Sequence, residues 1–311
     1  MRIVFWGTPE FATPSLRALI GEGHDVVGVV TQPDRPQGRS RSKLVPSPVK
    51  LIAVEEGIPV LQPEQPKTPE FIQALTELEA DASIVVAYGR ILTQAVIDTP
   101  RVGTFNVHAS LLPQLRGAAP IQAAILEGLT ETGVTIMRLV PALDAGPMLL
   151  RRATPIAEDE TYGELALRLA ELGALGLIEA LTLVDMGIAI EQQQDDAAAT
   201  YAPKVDRDHT KIDWTQSAVQ VSRIIRAYDP RPGAYATSGE AELKLFGATV
   251  THAHEHPPGE VLAVDASGMT VACGEGAACI AFVQPAGKPR MAADAWARGR
   301  GRGGAVGLKL G

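Results

Sequence analysis

Three short apolar runs, RIVFW at 2–6, DVVGVV at 25–30 and ASIVVAY at 82–88, constrain the fold of this chain more than any other feature. Runs of this length and composition read as strands buried on both faces, the usual state of strands in a parallel sheet covered by helices. Gly7-Thr8-Pro9 reads as a turn after the first run, and Phe11 to Leu19 has apolar spacing suited to a helix. Strand, turn, helix, strand is the opening of an α/β layer.

The pattern continues to about residue 188. Residues 31–48 carry four prolines and one glycine and read as a long loop. Helices are expected near 47–56 and 68–78, with a short strand near 59–61 between them. GTFNVHA (103–109), VTIMRLV (134–140) and MLLRRATPI (148–156) read as further strands, Ala119 to Leu126 as a helix, and 161–186 as a long amphipathic helix. The polar, small-residue stretch AIEQQQDDAAATYA at 189–202 reads as a linker or surface excursion. Helical spacing returns from Trp214 to Ala227. Then come AELKLFGATV, GEVLAVDA, GMTVACG and AACIAFVQP, short strands with tight turns that suggest a small antiparallel barrel. A chain of 311 residues is long enough for two such domains. The expected division is 1–188, a linker at 189–206, and 207–311.

Two cysteines, Cys273 and Cys279, are too few for a disulfide scaffold, and the five residues between them fit no common zinc spacing. No apolar run approaches the 18 residues of a membrane span, and no signal-peptide core follows Met1, so a cytoplasmic location without membrane contact is expected. The net charge of −8 argues by itself against a nucleic-acid partner, but it is unevenly spread. Residues 197–311 hold 13 Lys or Arg against 11 Asp or Glu, a net of +2, which leaves −10 for residues 1–196. Two stretches are basic. One is 34–50, with Arg35, Arg39, Arg41, Lys43 and Lys50 against Asp34. The other is 284–311, with Lys288, Arg290, Arg298, Arg300, Arg302 and Lys309 against Asp294. Either suits contact with phosphates, and either also suits a plain solvated surface.

The chemistry points to 106–120. Asn106 and His108 stand two apart at the end of an expected strand, so both fall on one face. An amide can hold a carbonyl oxygen as charge gathers on it, and an imidazole exchanges a proton near neutral pH. Asp144, in the loop Pro141–Pro147, is a candidate to orient the imidazole. A hydrogen-bonded polar pair at a strand end and an ordinary turn aspartate remain open alternatives. Ser110 lacks a Gly-x-Ser-x-Gly setting and reads as a loop hydrogen-bonder. GTPEFA at 7–12 lacks the glycine spacing of a dinucleotide loop. His252, His254 and His256 alternate along the chain, but the Pro-Pro after them favours an exposed loop over a metal site.

Asn106, His108, Ser110-Leu-Leu-Pro113, Arg116-Gly-Ala-Ala-Pro-Ile121 and Asp144 together resemble the formyltetrahydrofolate-dependent formyltransferases. Within them the resemblance is greatest to the branch that acts on initiator methionyl-tRNA. It extends through FWGTPEFA, TQPDRPQGR (31–39), PSPVK (46–50), VVAYGRIL (85–92), ETGVTIM (131–137), IDW (212–214) and FVQPAGK (282–288). The resemblance implies an α/β, Rossmann-like parallel or mixed sheet followed by an OB-like antiparallel β-barrel. It implies 10-formyltetrahydrofolate as co-substrate and initiator methionyl-tRNA as partner; a monomer is expected, and no metal, because the formamide would be bound against fixed donors. It assigns catalysis to Asn106, His108 and Asp144. It assigns the folate pocket to Val86, Tyr88, Gly89, Ile91, Ser110, Leu111, Leu112 and Pro113. It assigns tRNA contact to Arg35, Arg39, Arg41, Lys43 and Arg116. Ala145 and Pro147 depart from the more polar surroundings expected of the aspartate, and the tail is unusually rich in glycine and arginine. Rival readings are a formyltransferase for a ribonucleotide or amino-sugar amine, a hydrolase releasing formate from the folate, and an RNA-binding module without catalysis.

Overall fold

The structure, a computed structural model, describes residues 1–37, 43–251, 256–299 and 304–311. Arg39, Arg41, His252, His254, Arg300, Arg302 and the side chain of Lys43 lie outside that description. The chain forms two compact units, residues 1–120, 131–155 and 166–202 in the first, and 121–130, 156–165 and 203–311 in the second.

The strands are β1 (Arg2–Gly7), β2 (Asp25–Val30), β3 (Arg35–Gln37), β4 (Lys43–Val45), β5 (Val60–Leu61), β6 (Ala82–Val86), β7 (Gly103–His108), β8 (Arg116–Gly117), β9 (Glu131–Arg138), β10 (Met148–Pro155), β11 (Tyr201–Ala202), β12 (Ala234–Ser238), β13 (Ala241–Thr251), β14 (Val261–Asp265), β15 (Gly268–Ala272), β16 (Ala277–Pro285) and β17 (Met291–Ala292). The helices are α1 (Thr13–Gly21), α2 (Pro48–Glu55), α3 (Pro69–Glu77), α4 (Gln94–Ile97), α5 (Pro120–Leu126), α6 (Tyr162–Asp185), α7 (Ala218–Ala227) and α8 (Ala293–Arg298).

The first unit is built on a mixed sheet of order β10-β9-β7-β6-β1-β2-β5. Strands β5, β2, β1, β6 and β7 are parallel, while β9 and β10 run antiparallel to their neighbours. The expectation of burial on both faces holds for the interior of the first run, while Arg2 and Asp25 at the strand starts are exposed. Ile3 and Phe5 enter one core with Leu16, Ile52, Ile84, Phe105, Val107 and Leu177. Val4 and Trp6 enter another with Phe71, Leu75, Val85 and Val96. Each large apolar side chain so enclosed stabilises the fold by roughly 1.5–3 kcal/mol. Ser47 starts α2 by accepting from the Lys50 amide at 3.1 Å, and its hydroxyl also meets that of Thr31 at 2.7 Å, tying the helix to the end of β2. A cap of this kind contributes about 1 kcal/mol.

Local differences from the sequence reading have local causes. The proline-rich loop contains a small hairpin, β3 paired antiparallel with β4. The apolar run at 82–88 stops as a strand at Val86 because Ala87 turns to φ +48. Helical spacing begins at Trp214, but the helix begins at Ala218. Asp213 accepts from both the amide and the hydroxyl of Thr215 in a turn, and Ser217 supplies the cap. The stretch 189–202 belongs to the first unit, where β11 pairs in parallel with β8 and Gln192 bridges Met148.

In the second unit the sheet order is β12-β13-β16-β15-β14, antiparallel throughout, with β17 beside β16. Val221, Ile224 and Ile225 of α7 pack with Leu243, Leu245, Val271 and Ile280. The outer strands of that order are β12 and β14. Residues 307–311 hydrogen-bond to the chain at both: Val261 N donates to Leu308 O at 2.9 Å, and Thr237 and Gly311 exchange bonds of 2.6 and 3.0 Å. The sheet is consistent with a barrel of the expected type. Among the described residues no helix is long and apolar enough to cross a membrane.

Candidate active site

Strand β7 sorts its side chains by alternation. Phe105 and Val107 point into the core, which leaves Thr104, Asn106 and His108 on the opposite face. His108 is 5% exposed and Asn106 is half-buried. His108 Nε2 lies 2.9 Å from the carbonyl oxygen of Leu115. A carbonyl can only accept, so Nε2 carries a hydrogen and Nδ1 is the atom left to gain or lose a proton. Nδ1 faces Asp144 Oδ2 at 3.7 Å. That same oxygen accepts from the backbone N–H of Gly117 at 2.8 Å. The imidazole is thereby fixed at one nitrogen and set beside a carboxylate at the other.

The loops that make this arrangement are held by backbone bonds and by close approach. The Thr135 hydroxyl accepts from Leu112 N at 3.1 Å and donates to Ser110 O at 2.7 Å, bracing the turn after β7. Leu112 is buried with Met137 and Met148. Leu115 and Asp144 adopt left-handed backbone, with φ of +57 and +47. For such residues this costs roughly 1–2 kcal/mol, and strain of this sort gathers where a site needs a particular direction. Gly146 is required because a Cβ there would collide with the Arg138 carbonyl oxygen. Gly117 combines φ +119 with an approach that would put a Cβ 2.6 Å from Ala202 O.

The residues assigned to the folate pocket separate. Ser110, Leu111, Leu112 and Pro113 form the turn beside His108, with Ser110 Oγ donating to Gln114 O at 2.6 Å. Val86 and Tyr88 turn inward. Val86 is part of the core, and Tyr88 packs edge-on against Trp6 with ring centroids 5.2 Å apart. Burial raises the Tyr88 phenol above its ordinary pKa. Only the backbone of Tyr88 serves the sheet end, its carbonyl accepting from Thr8 Oγ1 and Gln32 Nε2. Gly89 and Ile91 are exposed.

Among the tRNA-contact residues, Arg35 is exposed on β3 and Lys43 begins β4. The base of this hairpin is anchored. Lys50 Nζ donates to Asp34 Oδ2 and Gln62 Oε1, both at 2.7 Å, and Gln62 Nε2 donates to Asp34 Oδ1 at 2.7 Å. The hydrogen bond from Lys50, followed by that from Gln62, holds the Asp34 carboxyl below its ordinary pKa. Arg116 corrects the expectation. It is 3% exposed, and its guanidinium is taken up by Gln194 and Asp196 rather than offered to a ligand. Sequence reasoning misses Gln194, the Leu115 carbonyl, the Gly117 amide and Thr135. Three act through backbone geometry or a loop brace, and Gln194 sits in a polar run with no periodic signal.

A cavity of about 400 Å³ opens near the start of β7, lined by Ile97, Val102, Thr104, Leu139, Val140 and Pro141. It shares the loop after β9 with Asp144. A larger one, about 550 Å³, is lined by Arg2, His24, Asp25 and Glu56, likewise at the amino ends of the parallel strands. Ligands of such sheets bind at the carboxyl ends, where β7 carries Asn106 and His108, so size makes neither cavity the site. Among the described residues no group of three or more His, Cys, Asp or Glu could hold a metal.

The model of the formyl transferase family matches residues 1–181, and that of the formyl transferase C-terminal domain matches residues 204–301. Methionyl-tRNA formyltransferase of Methylococcus capsulatus is 50% identical over 294 residues, covering 94% of this chain and 95% of that protein. The protein of the same name from Stutzerimonas stutzeri is 49% identical, covering 93% and 92%. HypX from Aquifex aeolicus, solved in complex with tetrahydrofolic acid, superposes with a TM-score of 0.66 over 97% of this chain and 47% of its own. At 22% identity that is a likeness of fold. With matches at this level running through both units, the chain belongs to the formyl transferase family.

Proposed function

We propose that this chain transfers a formyl group from 10-formyltetrahydrofolate to the α-amine of methionine on initiator methionyl-tRNA. The observation that carries the reading is the convergence of Asn106, His108 and Asp144 at one face of β7, in a chain similar to methionyl-tRNA formyltransferases along nearly all its length.

The bound folate supplies the formyl group on nitrogen. The Asn106 amide faces the same side of β7 as His108 and donates to the formyl oxygen as negative charge gathers there. When it carries a proton at Nδ1, His108 is a second donor to that oxygen, and the Asp144 carboxylate, 3.7 Å away, holds the ring's direction. The attacking amine must be neutral. The reference pKa of an α-amine, about 7.7–8.0, and the lower value expected of an aminoacyl ester leave much of it so near neutral pH. As the amine nitrogen bonds to the formyl carbon, the bond from that carbon to the folate nitrogen breaks, and the proton the amine gives up passes, with Asp144 and His108 beside it, to the departing folate nitrogen.

The tRNA needs a positive path. The β3–β4 hairpin and the basic end of the second unit are its two candidates, with phosphates and end structure as the features read. Replacing Arg39, Arg41 and Lys43 together with alanine should weaken tRNA binding and flatten its dependence on salt, by about one unit of slope for each phosphate no longer neutralised. Binding isotherms across a salt series check this, and an unchanged slope removes the hairpin from the interface. Aminoacylated tRNA as substrate goes with a cytoplasmic setting.

Formyl transfer is tested by mixing the protein with 10-formyltetrahydrofolate and charged initiator tRNA and following acylation of the amine. A glycinamide ribonucleotide and an amino sugar serve as controls. Transfer to a small amine and none to tRNA would overturn the reading in favour of a related transferase.

A further inference from the structure

We propose that Gln194, clamped by Arg116, is a positioning residue that aims the Asp144 carboxylate at His108. The inference rests on the formyl-transfer reading and deepens it. Gln194 Nε2 donates to two carbonyl oxygens of the aspartate loop, Asp144 O at 2.8 Å and Gly146 O at 2.7 Å. Its Oε1 accepts from Arg116 Nε at 3.0 Å and Nη2 at 2.8 Å. Guanidinium only donates and carbonyls only accept, so the amide has one possible orientation. Both of its hydrogens and both lone pairs of its oxygen are used.

The connection to the site is short. Leu115, Arg116 and Gly117 are consecutive. Leu115 O holds His108 Nε2, Arg116 holds Gln194, and Gly117 N–H holds Asp144 Oδ2. The tripeptide is itself pinned along 200–202: Leu115 N donates to Thr200 Oγ1 at 2.9 Å, Arg116 N to Thr200 O at 2.9 Å, and Ala118 N to Ala202 O at 2.9 Å. The Asp144 side chain is therefore fixed from one side by Gly117 and its backbone from the other by Gln194. The second grip matters because Asp144 sits in the left-handed region at φ +47, which an aspartate keeps only when its surroundings demand it. Without the two N–H donors of Gln194, the peptide after Asp144 is free to rotate, and the carboxylate turns from Nδ1. Asp196, the other partner of Arg116, is largely exposed on its own side chain and accepts from Nη2 at 2.7 Å.

The test compares the intact protein with Gln194→Glu, which keeps the size and the acceptor for Arg116 but loses both donors to the loop. Expected is a fall in kcat of about 10²-fold, the scale of a misplacement of about 1 Å. KM for tRNA and for the folate, and the melting temperature, should stay near wild type. The ring resonances of His108 should shift in the NMR spectrum. A folded Q194E protein with wild-type kcat and unshifted His108 resonances overturns the proposal, as does a loss confined to KM. Should Q194E fail to fold, Arg116→Lys, which keeps the charge but loses the two-pronged grip on Gln194, carries the same test. Unchanged kcat and unshifted resonances there overturn it equally. Asp144→Asn separates the two readings. No formyl transfer to charged initiator tRNA by the unaltered protein would sink the formyl-transfer reading, while a shift of the His108 resonances in Q194E would still support the clamp, and wild-type turnover in D144N would overturn the clamp alone.

Discussion

His108→Ala should lower kcat for formyl transfer by about 10²–10⁴-fold, the range expected when a positioned proton-transfer group is removed. The geometry says why the loss falls on the chemical step. Nε2 is already committed to the Leu115 carbonyl, and only Nδ1, beside Asp144, is left to move a proton or donate to developing charge. The ring is 5% exposed, so water does not readily replace it. Single-turnover measurements with saturating folate and tRNA isolate the step. Near-normal turnover would remove His108 from the mechanism. The same variant has a structural cost, because the Leu115 carbonyl loses its partner. A melting curve distinguishes that loss from the catalytic one, and His108→Gln, which keeps a donor for the carbonyl, should restore stability without restoring rate.

Asn106→Ala should cost about 10²–10³ in kcat, or roughly 2.7–4 kcal/mol, the measured scale for removing one donor to an oxyanion. Asn106 pairs through its backbone with Val85 on one side and Met137 on the other, so the strand survives loss of the side chain. The amide is half-buried and makes no hydrogen bond among the described residues, which leaves it available to a ligand. Turnover should therefore suffer more than folate affinity. An equal rise in KM with kcat preserved would make Asn106 a ground-state binding group instead.

The sheet of the first unit is readable because its strands carry their burial in their composition. RIVFW, short and apolar before a Gly-Thr-Pro turn, reads as a strand with both faces covered, and Ile3, Val4, Phe5 and Trp6 alternate between two cores as that requires. Asn106 and His108 are readable from a spacing of two on a strand. Asp144 comes from the family likeness and from its place in a loop, and no local pattern marks it. What stays hidden depends on neighbours far apart in the chain. Gln194 lies 50 residues from Asp144 and 78 from Arg116, within a polar run whose composition suits a linker equally well. Tyr88 misleads for a similar reason. Its motif suggests a ligand-facing ring, but the ring fills the core against Trp6, and the backbone carbonyl is what bonds to Thr8 and Gln32. Arg116 misleads because a basic residue next to the site invites a phosphate, and its two partners are not visible from the sequence.

The bonds that residues 307–311 make at Thr237 and Val261 bear on solubility as much as on stability. They occupy amide and carbonyl groups at both outer strands of the second sheet. Stripped of that cover, each would offer a row of bare groups to any other extended peptide. Damage there would then be felt first as sticking between molecules, with the core of the unit still in place.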